Sequence, residues 1–210
     1  MSVLHKSNTR EAGKAREIET LKAIGLCGWM TTRTIALWVY TDSTLHVATN
    51  KAQLVLKRLK LAEEVKSRKL ANGYTAWILT RKGADRVNLE LEAEGYEKGW
   101  AHHGYDAGTL DYVRHITTIE FLAQKRREQD IAGAVGKAGL RAGLVPEFKE
   151  CDGAYITYKN GCYTVVGVLA ITNARGAIVD KLRRLKAQKL KIDLAGEPRI
   201  IATVRRREVV

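Results

Sequence analysis

The strongest constraint on this chain lies between Thr31 and Val87, where a short helical stretch, a second helix with two unlike faces and a turn-closed pair of strands follow one another. On a helix over residues 44–60, Leu45, Ala48, Ala52, Val55, Leu56 and Leu59 gather on one side. His46, Thr49, Asn50, Gln53, Lys57 and Lys60 gather on the other. Residues 63–69 and 74–80 alternate as strands do, and the Ala71-Asn-Gly run between them suits a tight turn. Arg68 and Lys69 then fall near the tip of the hairpin. Helix, helix and basic hairpin in that order describe a winged helix-turn-helix. Asn and Gln pair bidentately with adenine edges, Lys reaches guanine or phosphate, and Thr touches either, so the polar face suits the major groove of DNA. An ordinary solvated helix face is the competing reading of the same residues.

Charge points to the same class of partner. The net charge is +13, and both halves of the chain, residues 1–95 and 96–210, hold more Lys and Arg than Asp and Glu. One basic tail therefore does not account for the excess, and a polyanion is the expected partner. An anionic membrane is disfavoured, because no isolated amphipathic helix or lipidation signal accompanies the charge. With 210 residues, 45% of them hydrophobic and only two prolines, the chain is expected to be globular. Cys27, Cys151 and Cys162 lack the paired spacing of a zinc site or disulfide framework and read as reduced thiols. The opening residues hold no apolar run of signal-peptide length, so a cytoplasmic protein is expected.

The wider pattern predicts an α+β chain in two parts. Residues 10–26 form a supporting first helix ended by glycines, and Thr31 or Thr32 caps the next one. Asp42, Ser43 or Thr44 caps the helix over 44–60, and residues 81–94 lead out of the domain as a further helix. The glycine-punctuated run that follows places the first domain at 1–95, a linker at 96–108 and the second domain at 109–210. His102 and His103 are adjacent in that linker, without a nearby cysteine or carboxylate to complete a metal set. The second domain reads as a helix over 109–129, strands over about 143–150, 153–159 and 162–171, a basic helix over 176–192 and a last strand over 199–206. Lys181, Arg183, Arg184, Lys186, Lys189 and Lys191 make the helix over 176–192 a second cationic surface.

The Trp77-Ile-Leu-Thr-Arg-Lys-Gly strand closure, followed by this order of elements, resembles the plasmid replication-relaxation family. It is also similar to mobilisation relaxases that join a winged helix to a restriction-endonuclease-like, PD-(D/E)xK domain, and the likeness runs from about Glu17 to Val204. The resemblance implies a divalent metal held by a carboxylate of the first helix or strand, the Asp of a Pro-Asp pair, and Glu-x-Glu or Glu-x-Lys on the next strand. Here Cys151-Asp152-Gly153-Ala154 keeps the Asp without the proline. The following strand carries Val168 and Ala170 at the acidic positions. Methyl groups supply neither coordination nor proton transfer, so the nuclease chemistry is expected to be lost. Glu120, Glu147 and Asp152 are the weak candidates for a displaced Mg²⁺ cluster, with Glu150 close by, and Tyr155, Tyr158 or Tyr163 for a strand-transfer nucleophile.

Together these readings predict a sequence-specific double-stranded DNA-binding protein of a phage or plasmid, acting as a transcriptional regulator or origin-binding accessory factor. They expect no catalytic residue, metal or cofactor. A homodimer and a replication or transcription protein are the further partners envisaged. An active metal-dependent relaxase or nuclease and a protein-interaction adaptor are the alternatives.

Overall fold

A computed structural model describes residues 3–70, 73–95, 100–103, 112–128, 131–172, 176–197 and 201. The chain divides into two compact units, Met1–Gly108 and Thr109–Val210. The architecture is mixed α+β, with a three-stranded antiparallel sheet in the first unit and a four-stranded mixed sheet in the second.

The first unit opens with helix α1 (Val3–Cys27), then strand β1 (Met30–Thr31), helices α2 (Thr32–Val39) and α3 (Leu45–Leu61), strands β2 (Val65–Lys69) and β3 (Thr75–Leu79), and helix α4 (Arg81–Ala93). Thr31 caps α2: its Oγ1 accepts from the Thr34 backbone N–H at 3.2 Å, and the Thr31 N–H donates to Thr34 Oγ1 at 2.9 Å. No comparable cap opens α3, where Thr44 occupies the N-cap without a side-chain hydrogen bond. Ser43 accepts from Lys51 Nζ instead. Leu21 and Ile24 of α1, Ile35 and Trp38 of α2, and Leu56 and Leu59 of α3 are fully buried and make the centre of the core.

Strand β3 pairs with β1 on one side and β2 on the other, with Met30 opposite Trp77 and Val65 opposite Leu79. Gly73 turns the hairpin at φ 82°, a left-handed conformation that a glycine adopts without strain, while Ala71 and Asn72 of the expected turn lie outside the described residues. Thr80 ends the hairpin and starts α4, accepting from the Gly83 N–H and donating to the Glu63 carbonyl. The Arg86 guanidinium joins Glu64 at 2.6 Å and Glu17 of α1 at 3.6 Å, tying hairpin and helices together. The stretch read as linker begins inside this unit: Ala101 is buried and exchanges two hydrogen bonds with the Asn88 side chain of α4.

The second unit runs α5 (Tyr112–Glu128), β4 (Ile131–Gly136), α6 (Lys137–Arg141), β5 (Gly153–Lys159), β6 (Cys162–Ile171), α7 (Gly176–Ala187) and β7 (Ile192–Gly196). The sheet order is β4-β5-β6-β7, antiparallel except for the parallel β6–β7 pair. Leu169 and Ile171 of β6 pack with Val179, Leu182 and Leu185 of α7 in one apolar cluster. A side chain at Gly153 would instead meet Leu122 and Thr118 of α5, and Gly153 stands opposite Val168. Alternation along the strands therefore turns Val168 and Ala170 toward the α5 face and Leu169 and Ile171 toward α7.

Three expected elements differ. Residues 143–150 are not a strand, because Gly143 turns out of α6 at φ 84° and Pro146–Phe148 makes a single 3-10 turn. The strand that pairs with β5 at that edge is β4, whose Ile-Ala-Gly-Ala-Val-Gly sequence carries little β-branched signal. The basic helix stops at Ala187, five residues short, because Lys189 takes a left-handed φ of 59° before β7 begins. Of the expected final strand over 199–206 only Ile201 is described, and its backbone is helical.

Candidate nucleic-acid interface

Helix α3 carries two unlike faces. Ala48, Ala52, Val55, Leu56 and Leu59 are buried against the rest of the first unit, whereas His46, Asn50, Gln53, Lys57 and Lys60 are exposed. Thr49 sits between the two faces, half-buried, and its hydroxyl donates to the Leu45 carbonyl at 2.7 Å. Its proton is thus committed to the helix backbone and not to a base edge. Asn50 Nδ2 lies 3.3 Å from His46 Nε2, one turn away, which holds both side chains on the outer face. The Asn50 carbonyl oxygen and second amide hydrogen remain, and those are the two atoms an adenine edge requires.

The hairpin supplies the second cationic element. Beyond the buried Val65, every residue of β2 is exposed, including Lys66, Arg68 and Lys69. Lys60 Nζ reaches Ser67 Oγ at 3.4 Å, so the base of the hairpin and the end of α3 are adjoining parts of one surface. Sequence reasoning overlooked three members of this surface: Val47, Leu54 and Leu61 are 43%, 64% and 77% exposed. Their seven-residue spacing was the available signal, since it keeps residues on one side of a helix.

In the second unit the acidic candidates are dispersed. Asp152 Oδ2 accepts from Arg114 Nε, from Arg114 Nη2 and from the Ala170 N–H, each at 2.9 Å. The carboxylate is thereby spent on joining α5 to β6. Glu120 is half-buried on α5, Glu147 is exposed on the 3-10 turn, and Glu150 faces Arg184 at 3.8 Å. Among the described residues no group of three or more His, Cys, Asp or Glu side chains is placed to hold a metal ion. Val168 and Ala170 are buried, so the strand positions that the resemblance makes acidic are packing positions in this chain. The donor set for Mg²⁺ does not fit.

The tyrosines divide in the same way. Tyr155 is buried, donates to Asp193 at 2.6 Å, and has its pKa raised by burial and by that carboxylate, so its phenol stays protonated. Tyr158 and Tyr163 are exposed and face each other across the β5–β6 hairpin with ring centres 4.7 Å apart. Lys137 donates to the Cys151 and Lys149 carbonyls, and burial lowers its pKa while Asp152 opposes the shift.

On α7 the buried stripe of Val179, Leu182 and Leu185 leaves Arg183, Arg184 and Lys186 exposed and Lys181 half-buried. Lys189 and Lys191 belong to the turn after the helix. Arg183 pairs with Asp180 at 3.8 Å and Arg184 with Glu150, so part of this charge is already balanced. His102 and His103 are exposed. Among the described residues, no helix is long and apolar enough to cross a membrane. Comparison of the chain with protein-family models, curated proteins and solved structures finds no match.

Proposed function

We propose that this chain is a sequence-specific double-stranded DNA-binding protein whose first unit works as a winged helix and whose α3 enters the major groove. The observation that carries the reading is the outer face of α3, where His46, Asn50, Gln53, Lys57 and Lys60 stand exposed opposite a buried apolar face. Asn50 and Gln53 read base edges and His46 orients Asn50. Lys57 and Lys60 meet phosphate, and Arg68 and Lys69 lay the hairpin along the backbone. A net charge of +13 supports a polyanionic partner.

The second unit acts in this proposal as a scaffold of the PD-(D/E)xK type without its metal chemistry. Its order of helix, strand, short helix, two strands, helix and strand, with a four-stranded mixed sheet, is compatible with that reading, and the engagement of Asp152 by Arg114 and Ala170 argues against retained nuclease activity. The cations of α7 extend the DNA footprint. A phage or plasmid regulator, or an origin-binding accessory factor, is the biological role that the resemblance and this chemistry favour.

The test is to recover bound sites from a random duplex library with the full chain. A narrow motif is expected, bound less tightly as salt rises and left uncut in Mg²⁺. Cleavage of the bound duplex would restore the relaxase reading, and recovery of no motif would remove the DNA-reading one.

A further inference from the structure

Resting on the reading of α3 as the groove helix, we infer that Val47 and Leu54 are specificity residues that contact the 5-methyl groups of thymine on either side of an adenine read by Asn50. Asn50 lies three residues after Val47 and four before Leu54, so the three share one ridge of the helix. Both apolar side chains are well exposed, Val47 at 43% and Leu54 at 64%, and both lie on the side of α3 away from buried Ala48, Ala52, Val55 and Leu56. The ridge is thus apolar, amide, apolar, flanked by His46, Gln53 and Lys57.

That alternation matches the major-groove edge of A·T pairs. Adenine offers the N6 donor and N7 acceptor that an amide satisfies, and thymine offers a methyl group that only an apolar contact rewards. Guanine and cytosine present no methyl, so Val47 and Leu54 would there cover polar edges without satisfying them. Seven residues of helix rise about 10.5 Å, close to three base-pair steps, so the two side chains can meet thymines in one short A·T-rich core. Isolated exposed leucines are common on protein surfaces. What separates these two is their interleaving with the only outward amides of α3.

The test removes the methyl and nothing else. Duplexes recovered by the full chain are remade with uracil in place of thymine, and affinities of wild type, Val47→Ala and Leu54→Ala are measured on both forms. Each buried methyl contact is expected to contribute about fourfold, so uracil weakens the wild type by roughly fifteenfold over two contacts. Leu54→Ala should bind thymine and uracil duplexes more nearly alike, while its thermal unfolding stays at the wild-type temperature. Equal wild-type affinity for the two forms, with a narrow motif retained, overturns the methyl contact and leaves the groove reading standing. Absence of any motif overturns both. A wild-type dimer that Leu54→Ala dissociates in the absence of DNA overturns the inference by assigning the ridge to a second copy of the chain.

Discussion

Replacing Asp152 by alanine separates a structural carboxylate from a catalytic one. Its Oδ2 receives three donors, and the side chain is 12% exposed against 29% for that of Arg114. Alanine leaves the Ala170 N–H unpaired beneath α5, which costs about 1–3 kcal/mol. It also strands the Arg114 guanidinium, although the exposed part of that side chain can regain water, so the loss falls short of the 3–5 kcal/mol typical of fully buried pairs. A total near 3 kcal/mol follows. With a urea dependence of about 1.5 kcal/mol per molar, the second unit's midpoint drops by about 2 M. All four tryptophans, Trp29, Trp38, Trp77 and Trp100, belong to the first unit, so tryptophan fluorescence follows that unit alone, and the part of the far-UV circular-dichroism transition that fluorescence does not share follows the second. Asp152→Asn keeps an acceptor for Ala170 and should lose about half as much. A circular-dichroism midpoint unmoved by Asp152→Ala would refute the claim that this carboxylate joins α5 to β6.

Four further outcomes are expected. Gly83→Ala should destabilise the first unit by at least about 2 kcal/mol in urea, read by tryptophan fluorescence, because the new Cβ would lie 2.0 Å from the Glu64 carbonyl oxygen and the helix-propensity gain is only about 1 kcal/mol. A thiol reagent should modify exposed Cys162 at once and buried Cys27 and Cys151 only on unfolding. Burial pushes the Cys151 thiol from 9.0 to about 11, so its contribution to stability is full below pH 9.0 and fades as pH climbs to about 11; Cys151→Ala should flatten that alkaline decline in urea midpoint. Lys57→Ala should lower the slope of log affinity against log salt by about 0.9 while leaving the preferred motif unchanged.

The first unit was legible because its elements are strongly periodic and their ends carry local chemistry. Ala48, Ala52, Val55, Leu56 and Leu59 announce one buried face at helical spacing, and Thr31, Gly73 and Thr80 mark ends that local hydrogen bonds or backbone angles then fix. The second unit was less legible for physical reasons. Strand β4 is built from small residues and holds its place through pairing with β5, an interaction between residues some twenty positions apart that no local pattern encodes. The end of α7 depends on the left-handed turn at Lys189, and lysine is an unusual residue there. Helical spacing marks the outer face of α3, but it carries no sign that the Thr49 hydroxyl proton is held by the Leu45 carbonyl or that Val47 and Leu54, apolar by type, stand exposed there. The engagement of Asp152 by Arg114 joins residues 38 apart and could be learned only from the fold.

The most direct measurement compares the affinity of the full chain for its recovered duplex and for a scrambled one at physiological salt, beside the Asn50→Ala/Gln53→Ala double variant. Wild type should favour its site by about a thousandfold or more, and the double variant should fall close to its affinity for scrambled DNA with unfolding unchanged. Equal binding of both duplexes by the wild type, or a preference that survives loss of both amides, would contradict the assignment of α3 as the helix that reads DNA.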